Sequence, residues 1–165
     1  TDRALLAGIM GYKSNDEEIK DALEIARERG IEYRFISTEI PGAHPNTARI
    51  TIKSGNGSVI TVQGASIGGG NIRVDNINGL KVDFNGDHNT ILILHQDRPG
   101  VIAEVTNLMR EKFSEVNIGN FRLTRPVKGG HALMTIEIDG MPPEGMIEEF
   151  RKLDYVLNVM LIKTI

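Results

Sequence analysis

The order of strand-like and helix-like segments after residue 90 is the feature that most restricts the fold of this chain. Apolar residues follow a strand pattern in four segments, 91–95, 117–125, 131–139 and 156–165. Two further segments, 99–112 and 143–153, carry apolar residues at helical spacing. The predicted order of elements is therefore β-α-β-β-α-β.

Each of these predicted helices has one apolar face that can cover a sheet. The faces consist of Ile102, Val105, Leu108 and Met109 in the first helix and of Met146, Ile147, Phe150 and Leu153 in the second. Two helices packed on a four-stranded antiparallel sheet form a ferredoxin-like βαββαβ domain. This topology predicts a fold but not a function.

The first half of the chain opens with a predicted helix over residues 14–30. Ser14 and Glu17 have the spacing of a capping box, and Gly30 suits the position just after a helix end. The predicted inner face consists of Ile19, Ala22, Leu23 and Ala26. Residues 32–36 are predicted to form a strand.

Two hairpins are predicted next. The first joins residues 49–53 to residues 59–63 through the turn Ser-Gly-Asn-Gly at 54–57. The second joins the strand around Val74 to the strand around Val82. Together the two hairpins predict a small antiparallel sheet over residues 49–84.

The polar segment 85–89 is predicted to separate two domains, because it contains turn-forming residues and no apolar side chain. We expect residues 1–86 to form a helix-plus-antiparallel-sheet domain and residues 87–165 to form the βαββαβ domain. The fold class is then α+β. Thr1 is not an initiator Met, so the sequence is expected to be part of a longer chain.

Composition and charge exclude several classes of function. Hydrophobic residues make up 40% of the chain and charged residues 25%, as in a folded globular protein. The formal net charge of −3 argues against a nucleic-acid partner, because nucleic-acid-binding surfaces concentrate Lys and Arg. The sequence contains no apolar run near the roughly 20 residues that span a bilayer and no signal peptide, so we expect a cytoplasmic chain without a membrane partner.

The residue types needed for metal or thiol chemistry are scarce. The chain contains no Cys, so it can supply neither a thiolate nucleophile nor the Cys ligands of an iron–sulfur cluster. The His residues at positions 44, 88, 95 and 131 lack the spacing of metal ligands. Neither a metal site nor a catalytic residue is predicted.

The run Ile-Leu-Ile-Leu-His-Gln-Asp-Arg-Pro-Gly-Val-Ile at 91–102 resembles the opening of an ACT domain. In ACT domains the first strand ends in a D-x-P-G-like turn that leads into the first helix. Asn117 and Ile118 resemble the Asn-Ile pair that often opens the second strand of such a domain. The resemblance implies a ferredoxin-like fold, an amino-acid ligand and an ACT-mediated homo-oligomer.

The segments His-Pro-Asn-Thr-Ala-Arg-Ile at 44–50 and Ser-Ile-Gly-Gly-Gly at 66–70 are similar to the β chain of bacterial iron–sulfur-dependent L-serine dehydratases. In that family these segments belong to a domain that precedes the ACT domain and is proposed to bind substrate allosterically. The Ser-Ser-Ser-His-Thr motif that family β chains carry early in this domain has no match here.

The turn formed by Asp97, Arg98, Pro99, Gly100 and Val101 is the predicted effector-binding site. A turn before a helix leaves backbone N–H groups free for a carboxylate, and the helix N-terminus favours negative charge. Gly100 allows a ligand to approach the backbone, and Asp97 can bind an ammonium group. The alternative is that Asp97 or Arg98 only caps the helix.

Asn117 and Ile118 are the predicted second part of this site. The resemblance implies it, because the second strand of one ACT copy often faces the first-strand turn of its neighbour. The Asn117 amide can both donate and accept hydrogen bonds. The alternative for Asn117 is a structural role at the end of the preceding helix connection.

A second ligand site is predicted in the first half. Its residues are His44, Asn46, Ser66, Gly68, Gly69 and Gly70. Successive N–H groups of the Gly-rich segment can form an anion-binding concavity, and the His44 ring lies in a loop from which it can reach a ligand. The alternative is a bulge or a tight connection between strands.

The resemblance implies the regulatory β chain of an L-serine dehydratase, which converts L-serine to pyruvate and ammonia. It implies no cofactor in this chain, a 4Fe-4S cluster in a catalytic α chain that is its partner, and L-serine as the effector. One alternative is the regulatory region of a D-3-phosphoglycerate dehydrogenase. Another is a free-standing amino-acid-binding ACT protein without a catalytic partner.

Overall fold

The computed structural model describes residues 1–164 and divides the chain into two compact units. The first unit is Thr1–Pro41, and the second begins at Gly42. The predicted domain limit at residues 86 and 87 lies inside the second unit and stays a prediction. None of the helices in residues 1–164 has the length and apolar character needed to cross a membrane.

The first unit contains helix α1 (Asp2–Ile9), a short 3-10 helix (Glu17–Asp21) and helix α2 (Ala22–Glu28). The predicted helix over residues 14–30 is therefore wrong in its first half. The Asp16 carboxylate accepts a hydrogen bond from the Lys13 backbone N–H at 2.7 Å, which closes a turn where the capping box was expected. Asp16, and not Ser14, precedes the 3-10 helix.

The end of α2 is as predicted. Gly30 has φ +68°, and its N–H donates to the Arg27 carbonyl at 3.0 Å while the Ile31 N–H donates to the Ala26 carbonyl at 2.8 Å. This pair of bonds is a Schellman motif, which favours glycine at the left-handed position. Ala22 and Ala26 of the predicted inner face are fully buried.

The predicted strand over residues 32–36 is wrong. This segment has no regular secondary structure. Its aromatic side chains pair locally instead, since the rings of Tyr33 and Phe35 have centroids 5.6 Å apart. Phe35 and Ile36 stay exposed, so an alternating pattern without a partner strand did not produce a strand here.

The second unit begins with the predicted antiparallel sheet. Its strands are β1 (Thr47–Lys53), β2 (Val59–Gly68), β3 (Asn71–Ile77) and β4 (Leu80–Phe84), in the order β1-β2-β3-β4. Both predicted hairpins are confirmed. Asn78 (φ +51°) and Gly79 (φ +83°) form the two-residue turn that connects β3 to β4.

The second sheet confirms the predicted βαββαβ order. It contains β5 (Asn89–Gln96), β6 (Ile118–Thr124), β7 (His131–Ile138) and β8 (Val156–Ile162), in the order β6-β7-β5-β8, with helices α3 (Val101–Lys112) and α4 (Met146–Arg151) in the crossovers. All its strand pairs are antiparallel. Ile165, predicted to end the last strand, lies outside the described residues.

One face of the second sheet packs against α3 and α4. The fully buried core there includes Ile91, Ile93, Val105, Met134, Ile136 and Phe150. Ile102 was predicted to face this core, but 42% of it is exposed, whereas Val101 is 1% exposed. The helix begins at Val101, so the buried positions are 101, 105 and 109, and Ile102 points about a quarter turn away.

The other face of the second sheet packs against the first sheet. Ile77, Val82 and Phe84 of the first sheet share a buried cluster with Leu92 and Leu133 of the second. Strand β5 thus alternates between two cores, with Ile91 and Ile93 toward the helices and Leu92 toward the first sheet. The second unit therefore has three layers, namely sheet, sheet and helices.

Candidate functional site

The predicted effector-binding turn connects β5 to α3. Gly100 is the N-cap of α3 with φ +95°, and no side chain caps this helix end. Neither Asp97 nor Arg98 therefore plays the capping role considered as the alternative. The first N–H groups of α3 have no partner within the helix, so they can donate hydrogen bonds to the carboxylate of a ligand.

The Asp97 carboxylate is held by the loop between β6 and β7. Its Oδ2 accepts hydrogen bonds from the Arg125 guanidinium at 2.8 Å and from the Gly129 N–H at 2.9 Å. The Asp97 N–H in turn donates to the Gly130 carbonyl at 2.8 Å. Three bonds therefore join the turn to this loop.

The hydrogen bond from the Gly129 N–H, followed by that from Arg125, lowers the pKa of Asp97 below its usual value of 3.8. Asp97 is therefore a carboxylate at neutral pH. A fixed carboxylate beside a helix N-terminus presents both signs of charge within one turn. This is the pattern that a zwitterionic amino acid needs.

Arg98 and Tyr155 form a cation–π pair, with the guanidinium carbon 4.8 Å from the ring centroid. Tyr155 has φ +66° and lies just before β8. The Gln96 N–H donates to the Tyr155 carbonyl at 2.9 Å. The turn is therefore braced from the β8 side as well as from the β6–β7 loop.

His95 is a candidate residue that sequence reasoning missed. It is 1% exposed, and its Nδ1 lies 2.7 Å from the Gln96 carbonyl oxygen. Because a carbonyl only accepts, Nδ1 donates, and Nε2 of the neutral ring is then an acceptor. Nε2 is buried without a hydrogen-bond partner among the described residues.

A signal for His95 was present in the sequence. By strand alternation it lies on the same face as the buried Ile91 and Ile93, two residues before Asp97. A polar side chain on an apolar face needs a partner, because an unpaired buried polar atom costs about 1–3 kcal/mol.

Asn117 and Ile118 lie at the opposite end of the sheet from Asp97. In β7, His131 pairs with the Asp97 end of β5, and Ile138 pairs with Ile118. Seven residues of strand separate these positions, which is roughly 23 Å. The Asn117 amide donates to the Asp139 carboxylate at 2.7 Å. One chain therefore does not bring the two halves of the predicted site together.

The predicted second ligand site is partly brought together. The Ser66 N–H donates to the Asn46 carbonyl at 3.1 Å, and the Asn46 N–H donates to His44 Nδ1 at 3.2 Å. Gly68, Gly69 and Gly70 all have positive φ, of 94°, 64° and 83°. The sheet register shifts between Ser66 and Gly68, so the segment forms a bulge and a tight connection, as the alternative predicted.

Metal-ligating side chains are not clustered in residues 1–164, where no group of three or more His, Asp or Glu residues is placed to hold an ion. The complete sequence contains no Cys. The residues present therefore do not fit an iron–sulfur cluster bound by this chain, since Cys thiolates are its usual ligands.

Two L-serine dehydratase beta chains are similar to nearly the whole chain. The probable L-serine dehydratase beta chain of Bacillus subtilis (strain 168) is 38% identical over 162 residues, which cover 98% of this chain and 72% of that protein. The L-serine dehydratase beta chain of Peptoniphilus asaccharolyticus is 35% identical over 163 residues, which cover 94% of this chain and 72% of that protein.

A more distant similarity extends to another enzyme. A D-3-phosphoglycerate dehydrogenase of Bacillus subtilis (strain 168) is 28% identical over 162 residues, which cover 97% of this chain and 30% of that protein. No protein-family profile matches the chain. The two beta chains share more identity with this chain, and the match covers most of their length. The chain therefore belongs to the family of L-serine dehydratase beta chains.

Proposed function

We propose that this chain is the regulatory subunit, or part of it, of an L-serine dehydratase, and that it senses L-serine at the turn after β5. The similarity to two beta chains over at least 94% of the chain supports the enzyme class. The observation that carries the sensing role is the turn itself. It combines an uncapped helix N-terminus with a fixed carboxylate, and it directly follows buried His95, whose Nε2 has no hydrogen-bond partner in residues 1–164.

Each group in the turn suits one part of a free amino acid. The N–H groups at the start of α3 donate hydrogen bonds to the α-carboxylate, since a helix N-terminus favours an anion. Asp97 accepts the α-ammonium group in a charge-assisted hydrogen bond. His95 Nε2 accepts a further N–H or O–H, and the hydroxyl of serine supplies one. Arg98, Pro99 and Val101 complete the turn around the ligand.

A second copy of the chain completes the site in this proposal. Asn117 and Ile118 are too far from Asp97 to contact the same ligand within one chain. In a side-by-side pair of βαββαβ sheets, the β6 end of one copy can face the turn of the other. Asn117 of the neighbour then adds an amide that can bind either end of the ligand.

The catalytic step belongs to a partner in this proposal. The beta-chain name of the relatives implies an α chain, and the absence of Cys from this sequence is consistent with a 4Fe-4S cluster located there. Serine binding to the regulatory chain changes activity only if it binds one conformation of the assembly more tightly than another. The chain itself binds effector and contributes no group to the reaction.

We also propose that residues 1–86 and 87–165 are the regions of the predicted substrate-sensing and ACT domains. The contact between Asn46 and Ser66 supports a second ligand site that includes His44 and residues 68–70. The exposed N–H groups of that Gly-rich connection favour a small anion over a cation.

Calorimetric titration with L-serine tests the sensing role. We expect saturable binding to the wild-type chain and a loss of at least about tenfold in Asp97→Asn, which removes one charge-assisted hydrogen bond. Asp87→Asn is the matched control, because Asp87 is exposed in the loop before β5. An unchanged affinity in Asp97→Asn, or no binding by the wild-type chain at millimolar serine, contradicts the proposal.

The similarity to D-3-phosphoglycerate dehydrogenases supports a second candidate, namely the regulatory region of such an enzyme. The two functions differ in what accompanies the chain. Purification of the native protein followed by mass spectrometry separates them. A Cys-rich partner polypeptide supports the dehydratase, whereas continuity with a dinucleotide-binding domain supports the dehydrogenase.

A further inference from the structure

A polar cleft of about 330 Å³ lies where the two sheets of the second unit meet. Strand β4 is an edge of the first sheet and β6 is an edge of the second, and the two edges approach one another here. The cleft is at neither of the predicted ligand sites. Its charged residues are Arg73, Asp75, Lys81, Asp83 and Arg122.

Asp83 positions two guanidinium groups in the cleft. Its Oδ1 accepts a hydrogen bond from Arg73 Nε at 2.8 Å, and its Oδ2 lies 3.2 Å from Arg122 Nη2. Arg73 is on β3 of the first sheet and Arg122 is on β6 of the second. One carboxylate therefore holds an arginine from each sheet in a defined place.

Most of the donors of these two arginines remain available. A guanidinium has five N–H groups, and Asp83 has only two oxygens to engage them. Lys81 lines the same cleft and takes part in neither ion pair of Asp83. Three cations thus face two carboxylates in this cleft, although the whole chain has a formal net charge of −3.

The second carboxylate is already engaged. The Asp75 Oδ1 accepts a hydrogen bond from the Gln63 amide at 2.9 Å, and the Gln63 oxygen in turn accepts from the Arg49 guanidinium at 2.8 Å. Asp75 is therefore turned to a neutral donor rather than to the arginines. The cleft keeps an excess of positively charged donors.

We propose that this cleft is a binding site for a small oxyanion, either a carboxylate or a phosphate group. Two arginines in fixed positions suit such a group, because the planar guanidinium matches the geometry of carboxylate and phosphate oxygens. Thr124 adds a hydroxyl on the β6 side of the cleft. A bound anion connects β3 and β4 of one sheet to β6 of the other.

Titration calorimetry at constant ionic strength tests this site, with inorganic phosphate in one arm and malonate in the other. For at least one of them we expect saturable binding that depends on Arg73 and Lys81, which distinguishes this cleft from the Gly-rich connection and from the start of α3. The arm that binds more tightly identifies the source of the oxyanion. Arg73→Gln and Lys81→Gln should each weaken binding by about tenfold. Lys81→Gln leaves both ion pairs of Asp83 intact, so it stays informative if Arg73→Gln unfolds the chain.

Arg110→Gln is the matched control. It removes the same charge from the exposed face of α3, where Arg110 pairs only with its neighbour Glu111 among the described residues. An equal loss in Arg110→Gln, or no saturable binding of either anion to the wild-type chain, overturns the proposal. Asp97→Asn should leave phosphate or malonate binding unchanged, which separates this site from the proposed serine site.

Discussion

Arg125 donates a hydrogen bond to the Asp97 carboxylate at 2.8 Å, across 28 residues of sequence. The side chain of Asp97 is 15% exposed and that of Arg125 is 50% exposed. The guanidinium therefore occupies the carboxylate that we assign to the ammonium group of an effector. An effector ammonium group bound as proposed would compete with Arg125 for the charge of this carboxylate.

Removing this competitor should strengthen serine binding. In Arg125→Gln the Asp97 carboxylate keeps its bond from the Gly129 N–H but loses its cation. We expect about fivefold tighter binding of L-serine by calorimetry, because an ion pair near the surface contributes only a modest free energy. Arg110→Gln controls for the change in net charge. Weaker binding in Arg125→Gln would show instead that Arg125 contacts the ligand carboxylate.

Replacing His95 should weaken L-serine binding while changing the stability of the fold only slightly. His95→Leu loses the Nδ1 bond to the Gln96 carbonyl but also removes a buried nitrogen without a partner. The two effects oppose each other, so we expect the free energy of unfolding to change by less than about 1.5 kcal/mol. Serine affinity should fall by at least about tenfold. If thermal unfolding changes little and affinity is retained, Nε2 is not a ligand-binding group.

The acid stability of the second unit should depend on Glu149. Hydrogen bonds from Lys112 of α3 and from Lys152 lower the pKa of Glu149 from 4.5 to about 2. Because the folded-state pKa is lowered, this contribution to stability is complete above pH 4.5 and is lost as the pH falls toward 2. Glu149→Gln should therefore lower the urea midpoint at neutral pH.

The difference in midpoint between the wild-type chain and Glu149→Gln should shrink through that same acid range. Glu115→Gln is the control, since Glu115 is exposed on the connection between α3 and β6. If the difference in urea midpoint stays constant with pH, the ionised Glu149 carboxylate is not the group that stabilises the contact between α3 and α4.

Truncating Leu92 should destabilise both sheets together. Leu92 is fully buried and faces the first sheet from β5. We expect Leu92→Ala to cost about 3 kcal/mol in urea unfolding, as is typical for a core leucine. Ile102→Ala should cost less than about 1 kcal/mol, because 42% of Ile102 is exposed. Similar costs for the two variants would contradict the three-layer packing.

A fragment that contains only residues 87–165 should be poorly soluble. Residues 87–165 alone would leave Leu92 and Leu133 without the cover that Ile77, Val82 and Phe84 provide. We expect the fragment to bind a hydrophobic dye strongly and to self-associate in sedimentation experiments. A monomeric fragment without dye binding would show that the predicted domain folds independently of the first sheet.

Gly100 should not tolerate a side chain, even though space is available. An added Cβ would meet no atom within 4 Å, but the φ of +95° is strained for any L-residue. We expect Gly100→Ala to cost about 1–2 kcal/mol through the backbone. Gly55→Ala in the first hairpin is the control, because its Cβ also meets nothing and its φ is not positive. If Gly100→Ala and Gly55→Ala lower the free energy of unfolding equally, the positive φ of Gly100 is not the cause of the loss.

Hydrophobic periodicity predicted the elements of the second sheet because each has enough length for its pattern to repeat. Ile102 was assigned to the core because the helix was expected to start at Pro99, and a helix start cannot be located to one residue from sequence. The predicted start of the helix over residues 14–30 was wrong for a related reason. There the Asp16 carboxylate binds the Lys13 N–H, and the spacing of Ser14 and Glu17 did not reveal this competing turn.

The contacts of the predicted effector-binding turn have no local signature in the sequence. Arg125 and Gly129 lie 28 and 32 residues from Asp97, and they meet it only because β6 and β7 return to the end of β5. The packing of the first sheet on the second could not be predicted from the sequence either. The nearly continuous apolar run in β5 indicates burial on both faces, but it does not say what covers each face.

Strand β5 ends at Gln96, directly before Asp97, and its side chains enter both hydrophobic cores. A shift of this strand by even a fraction of an ångström would disturb close-packed side chains in the helical layer and in the first sheet at once. If the turn after β5 binds an effector as proposed, a resulting shift of the strand would reach the outer surfaces on both sides of the second unit. A partner subunit could detect the effector from either side without touching it.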